Sequence, residues 1–208
     1  GGLGEGFSQF PFRGDPRFRI ALSIEKDENA HKTLLTRAFY REFLSGEVPE
    51  AYYEHLRGEI SQEEMFERDD RCKVAAREAK KEALCIELGE PSDKKMSARK
   101  KREHRLRTQR KVRRLIRERI SGHDHWVLIG GPPCQAYSLA GRSRMTGVVR
   151  KKGESPEDFE ERRREVVSAF EGDHRHRLYR EYLSIIADHW PSVFVMENVR
   201  GLLSARIN

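Results

Sequence analysis

Apolar positions along the chain fall into two kinds of pattern. Short apolar runs occur at Arg19-Ile20-Ala21-Leu22-Ser23-Ile24, Trp126-Val127-Leu128-Ile129 and Val193-Phe194-Val195-Met196. Their length and their abrupt ends suit buried strands. Between them apolar residues recur at helical steps. Ala30, Leu34, Leu35, Ala38, Phe39 and Phe43 predict a helix over residues 29–44. Ser61-x-x-Glu64 is a capping box that opens the next helix. Cys72, Ala75, Ala76, Ala79, Ala83 and Ile86 fall on one face of it, and Gly89 and Pro91 end it. Leu106, Val112, Leu115, Ile116 and Ile120 mark a second amphipathic helix. Together these predict an antiparallel helical pair inserted over about residues 61–122, with Cys72 and Cys85 as small core residues. Ser155-Pro156-Glu157-Asp158 opens a further helix, with Ser as N-cap and Pro at the first helical position. A last helix over about residues 173–189 buries Leu178, Tyr179, Tyr182, Leu183 and Ile186. Strands alternating with helices predict an α/β chain with a parallel, doubly wound sheet.

Charge changes this picture more than composition does. The 208 residues suit one domain. No run of about 18 apolar residues exists, so no membrane span is expected, and no secretory signal is visible. Three cysteines without a Cys-x-x-Cys pair predict a reducing, intracellular setting, no disulfide framework and no zinc. The pairs His123/His125 and His174/His176 read as surface or core residues, so no metal is assigned. The net charge of +7 is uneven. Residues 94–119 hold 14 Lys or Arg against Glu103 and Glu118, a local +12 that leaves −5 for the remainder. Such a stripe suits phosphate contacts. The bland alternative is a solvated helix face.

The candidate chemistry sits where strands end. Gly130-Gly131-Pro132-Pro133-Cys134-Gln135 follows the Trp126–Ile129 run. Two glycines permit close backbone approach. Two prolines stiffen the turn and remove donors. A cysteine at the carboxyl end of an α/β strand is placed to act as a nucleophile, against the alternative of a structural Cys in a turn. Glu197 ends the Val193–Met196 run in the same way. Gly1-Gly2-Leu3-Gly4-Glu5-Gly6 is a glycine-rich loop, and Glu25 ends a strand 23 residues after Gly2. That spacing suits a carboxylate accepting ribose hydroxyls.

Gly131-Pro132-Pro133-Cys134-Gln135-Ala136-Tyr137-Ser138 resembles the catalytic motif of the DNA cytosine-5 methyltransferases. Glu197-Asn198-Val199 resembles the family's second catalytic motif. Gly1-Gly2-Leu3-Gly4-Glu5-Gly6-Phe7 is similar to the tail of its S-adenosylmethionine loop. Asp173-His174-Arg175 followed by Leu178 resembles the helix motif between the catalytic pair. The four occur in the family's order, and the resemblance covers most of the chain except about residues 61–125.

The resemblance implies a Rossmann-like S-adenosylmethionine-dependent methyltransferase fold. It implies methyl transfer to C5 of a cytosine flipped out of double-stranded DNA, with S-adenosylhomocysteine as product. In that role Cys134 adds to C6, Glu197 serves N3 with a pKa raised by burial, and Asn198 holds Glu197 or the Pro-Cys turn. Gly1, Gly2, Leu3, Glu25, Lys26 and Pro133 would bind cofactor. Lys26 departs from the bulky residue that the family often places over the adenine. Gly58-Glu59-Ile60 resembles the third cofactor motif, which adds Glu59 and Ile60. Gln135, Ser138, Arg142, Ser143 and Arg144 would meet DNA, the last three in a polar, basic loop suited to closure. The family's first strand, target-recognition domain and C-terminal motifs are expected outside these 208 residues. The expected whole is a larger intracellular enzyme of the restriction–modification kind. The alternatives are an RNA cytosine-5 methyltransferase acting on transfer RNA, and a DNA-binding fragment without catalysis.

Overall fold

A computed structural model describes residues 2–12, 15–16, 18–43, 47–91, 93, 95–131, 153–162 and 178–198. The chain divides into two units, Gly1–Glu87 with Glu118–Ser121, and Leu88–Arg117 with Gly122–Asn208.

In the first unit the glycine run does not stay a loop, because Gly2–Ser8 is a helix, α1. A small antiparallel pair follows, β1 (Pro11–Phe12) with β2 (Asp15–Pro16). The strand expected from Arg19 and ending at Glu25 is shorter, β3 (Ser23–Glu25). It stops where Asp27 begins α2 (Glu28–Arg41), its carboxylate accepting from Asn29 N at 3.0 Å and Ala30 N at 2.9 Å. Helices α3 (Glu50–Leu56), α4 (Gln62–Glu67) and α5 (Asp70–Glu82) lead to β4 (Ala83–Cys85). β4 runs parallel to β3, pairing Ala83 with Ser23 and Cys85 with Glu25.

The single helix expected from Ser61 through Ile86 is corrected to two helices and a strand. The Ser61–Glu64 capping box forms as expected. Asp69 then restarts the helix by accepting from Cys72 N at 2.8 Å. Ala83 and Ile86 continue the helical spacing, yet the chain extends there because Ile86 N–H donates to Glu25 O at 2.9 Å, continuing the parallel ladder. The alanine seam of α5 is spent on α2 and α4. Ala75, Ala76 and Ala79 let it approach a core of Leu35, Phe39, Met65 and Phe66. Phe39, Met65 and Cys72 are fully buried. Each large side chain there contributes roughly 1.5–3 kcal/mol by leaving water. Gln62 locks α4 to α2 by donating to Lys32 O at 2.8 Å and Thr36 Oγ1 at 2.7 Å. Cys72 is a core residue as expected, but Cys85 is exposed, since it sits on a strand end.

The second unit holds most of α6 (Ala98–Ile120), then β5 (Val127–Gly130), α7 (156–162), α8 (Leu178–His189) and β6 (Val193–Met196). Ser155 caps α7 as expected, its Oγ accepting from Asp158 N at 3.0 Å. β5 and β6 are parallel, with Val127 opposite Val193 and Gly130 opposite Met196. α6 turns Thr108, Val112 and Ile116 inward. It is held to α8 by Arg105 Nε donating to Glu181 Oε1 at 2.8 Å, Gln109 Nε2 to Glu181 Oε2 at 2.8 Å, and Arg113 Nε to Asp188 Oδ2 at 2.6 Å. The chain is thus a mixed α/β protein whose β3–β4 and β5–β6 pairs are parallel. Among the described residues no helix is long and apolar enough to cross a membrane.

Candidate functional site

In the second unit the two motif-bearing strands end side by side. Glu197 N–H donates to Gly130 O at 2.9 Å, one step past the last paired residues. The glycine pair makes this fit possible. A Cβ on Gly130 would lie 3.0 Å from Tyr182 Cε2, and one on Gly131 would lie 3.1 Å from Glu197 O. Tyr182 comes up from α8 beneath both strands. Its hydroxyl donates to Val195 O at 2.9 Å, with Leu128 O 3.2 Å away. Burial pushes the Tyr182 pKa up, so it stays a protonated donor. Glu197 itself is exposed. Asn198 is half-buried beside it. Cys134 begins three residues after Gly131. Pro133, Cys134, Gln135, Ser138, Arg142, Ser143 and Arg144 lie outside the described residues, as does the stretch Asp173-His174-Arg175.

In the first unit the carboxyl ends of β3 and β4 carry a second polar cluster. Glu25 Oε1 accepts from Lys26 N at 2.7 Å and Asp27 N at 2.9 Å. This fixes the carboxylate at the strand end, above the start of α2. Lys26 Nζ reaches Glu87 Oε1 at 3.4 Å. Carboxyl ends of parallel strands are where open α/β sheets bind ligands, so Glu25, Lys26 and Glu87 form one candidate subsite. Gly1 lies outside the described residues. Gly2 and Leu3 stand in the first turn of α1.

Glu59 and Ile60 are placed elsewhere, and their surroundings differ from those a strand-end motif requires. The residues before them form α3, not a strand. Gly58 takes φ 76°, its N–H donates to His55 O at 2.9 Å, and Glu59 N–H donates to Glu54 O at 2.9 Å. That is a Schellman turn closing a helix, in which glycine serves the left-handed position. Arg57 Nε holds the Glu59 carboxylate at 2.7 Å, which lowers its pKa. Sequence reasoning missed Glu87. The signal was there in Leu84-Cys85-Ile86 preceding an acid, but it was hidden by the alanine periodicity running through Ala83.

The basic stripe is also divided. Arg105 and Arg113 face inward onto Glu181 and Asp188, while Lys100, Arg102, Arg107, Arg110, Lys111 and Arg117 are exposed. Lys94 lies outside the described residues. Among the described residues no group of three or more His, Cys, Asp or Glu is placed to hold a metal ion.

Over 99% of its length the chain is 31% identical to Type II methyltransferase M.Bpa9945I of Bacillus paralicheniformis, and it spans 40% of that protein. Over 43% of the chain it is 35% identical to a DNA-cytosine methyltransferase of Escherichia coli (strain K12), covering 15% of it. Over 41% it is 37% identical to DNA (cytosine-5-)-methyltransferase M.ApeKI of Aeropyrum pernix, covering 14% of it. The chain therefore spans less than half the length of these curated relatives. No family model matches the chain, and no solved structure matches it. What the chain resembles along nearly its whole length is a methyltransferase. More narrowly, the relatives matched over about two fifths of the chain are DNA-cytosine methyltransferases, and the chain is similar to a partial region of that family.

Proposed function

We propose that this chain is a catalytic region of an S-adenosylmethionine-dependent DNA cytosine-5 methyltransferase acting on duplex DNA. The observation that carries the reading is the shared end of β5 and β6, where Glu197 N–H meets Gly130 O at 2.9 Å. The strand followed by Pro-Pro-Cys and the strand followed by Glu-Asn thereby finish together.

Cytosine C5 is too weak a nucleophile to attack a methyl donor. Cys134, as thiolate, adds to C6 and makes C5 enamine-like. Glu197 holds a proton at N3 as charge develops on the ring, a role that needs the exposed carboxylate to be desolvated when DNA covers it. After C5 takes the methyl group, its proton leaves and Cys134 is expelled. Asn198 orients Glu197 or the Pro-Cys turn. Gln135, Ser138, Arg142, Ser143 and Arg144 are the residues this reading assigns to the phosphates and the vacated base position.

S-adenosylmethionine supplies the methyl group on its sulfonium. Within the first unit the residues that suit it are those at the strand ends, with Gly2 and Leu3 of α1. Glu25 accepts the ribose hydroxyls. Of the carboxylates available to an adenine amino group, Glu59 is tied to Arg57 in the turn after α3, whereas Glu87 stands at the end of β4 beside Lys26. We assign that contact to Glu87 in place of Glu59 and Ile60. The fold of this reading is a doubly wound, Rossmann-like sheet. It is supported by the parallel direction of both strand pairs and by the helical segments that connect each.

The test is Cys134→Ala in the full-length protein, with duplex DNA containing 5-fluorocytosine, in which fluorine replaces the C5 proton whose loss expels the cysteine. The unsubstituted protein should form a covalent adduct and the variant none. An adduct formed by Cys134→Ala would refute the nucleophile. Methyl incorporation into transfer RNA but not duplex DNA would overturn the substrate.

A further inference from the structure

We infer that the outer face of α6 is a docking surface for the phosphate backbone of duplex DNA. This deepens the DNA reading above and rests on it. Residues 98–117 of α6 all belong to the second unit. The helix buries one side through Thr108, Val112 and Ile116, and it commits Arg105 and Arg113 to Glu181 and Asp188. Those contacts account for the inner arginines and for the helix's place in the fold. They leave the opposite side unexplained. There Lys100, Arg107, Arg110, Lys111 and Arg117 are exposed, and none of them makes an ion pair among the described residues. Arg110 Nε donates only to Leu106 O of its own helix, at 3.2 Å. Of the two acids on α6, Glu103 is paired with Arg99 at 3.1 Å.

The chemistry of this face selects its occupant. From Lys100 to Arg117 a straight helix runs roughly 25 Å. Duplex DNA carries about one phosphate charge per 1.7 Å of its axis over both strands, so that length of duplex holds about fifteen, several of them on the side that faces the helix. A membrane surface would need an apolar face turned outward, yet Val112 and Ile116 are buried. Among the described residues Leu106 is the one large apolar side chain that α6 exposes. A protein partner would favour aromatic residues and exclude lysine from the contact. Single strands are gripped by aromatic stacking, and α6 contains no Phe, Tyr or Trp. Exposed, unpaired cations on a rigid rod fit a duplex backbone.

The experiment measures binding of the full-length protein to a non-target duplex across a series of salt concentrations. Arg107→Gln, Arg110→Gln, Lys111→Gln and Arg117→Gln are combined in one variant, and thermal melting checks that it remains folded. The slope of log Kobs against log salt should become shallower by about 3–4 units, since each lost phosphate contact removes about 0.9. Affinity should fall alike for all sequences, because backbone contacts carry no base information. Arg107→Gln alone should remove about 0.9, which keeps the test decisive if the combined variant fails to fold. An unchanged slope in a protein that does bind duplex would overturn this surface and leave the proposed function standing. Loss confined to duplex RNA would overturn it as well. A full-length protein that bound no duplex would overturn both.

Discussion

Arg41 is the residue whose removal most directly tests the account of the first unit. It ends α2 and pairs with Glu5 of α1 and, at 2.6 Å, with Glu82 at the end of α5. Glu82 immediately precedes β4, so this cluster joins the helices that frame Glu25 and Glu87. The Glu82 side chain is 11% exposed. Burial raises its pKa, and Arg41 opposes that rise. Arg41→Met keeps the apolar stem and removes the charge. A buried carboxylate left without its cation costs about 3–5 kcal/mol, a large share of the roughly 5–15 kcal/mol that holds a domain.

The sign with pH follows from linkage. Without Arg41 the folded-state pKa of Glu82 climbs further above its unfolded value of about 4.3. A carboxyl raised in the folded state is tolerated below the unfolded pKa and loses stability as pH rises through the folded one. The deficit of Arg41→Met should therefore be largest near pH 7 to 8 and shrink towards pH 4 to 5. Urea denaturation at both ends measures it. The double variant Arg41→Met, Glu82→Leu should recover most of the loss, since replacing both partners of a buried pair by apolar groups is often neutral. A deficit constant with pH, or no recovery in the double variant, would refute the reasoning.

Glu25→Ala should weaken S-adenosylmethionine binding by about 1–3 kcal/mol, the cost of leaving a polar partner unmatched. Glu87→Ala should do likewise, whereas Glu59→Ala should leave affinity unchanged. Calorimetry on the full-length protein decides, and a loss on Glu59→Ala with none on Glu87→Ala would reverse the assignment. The adjacent glycines should fail differently. Gly130→Ala drives a Cβ to 3.0 Å from the ring of Tyr182 and should cost about 1–3 kcal/mol of stability. Gly131→Ala pushes instead on Glu197 O at 3.1 Å, and should lower kcat for methyl transfer more than it lowers Tm.

Much of the frame was legible because its signals are local. β5 and β6 are short apolar runs with hard stops; β6 has the ends the sequence puts there, and β5 is shifted by one residue from the Trp126–Ile129 run. The caps at Ser61 and Ser155 need only one side chain and a backbone amide three residues away. β4 was not legible. Ala83, Leu84 and Cys85 fit the preceding helical period, and what makes them a strand is β3, some 60 residues earlier in the chain. With β4 goes Glu87, the residue the proposal sets against Gly58-Glu59-Ile60, whose glycine serves a helix end. The basic stripe was countable but not divisible. Arg105 and Arg113 look like their neighbours until Glu181 and Asp188 arrive from α8, some 75 residues later.

The glycine pair carries a packing constraint that the sequence alone does not show. In the sequence, Gly130 and Gly131 suit close approach of a ligand. In the structure the space they vacate is filled from within the protein, by the Tyr182 ring and by the Glu197 backbone. Tyr182 donates to a carbonyl of β6 and lies beside one of β5, so it reads both strands at once. The register it supports sets Glu197 against Gly130 and therefore sets how far the residue after β6 stands from the turn after β5. A side chain at Gly131 would not block a substrate directly. It would move the carboxylate's backbone relative to the strand that leads to Cys134, and in the proposed mechanism the two groups would no longer share a frame. The proposed chemistry calls for that frame, and the packing beneath it explains why neither position accommodates a Cβ.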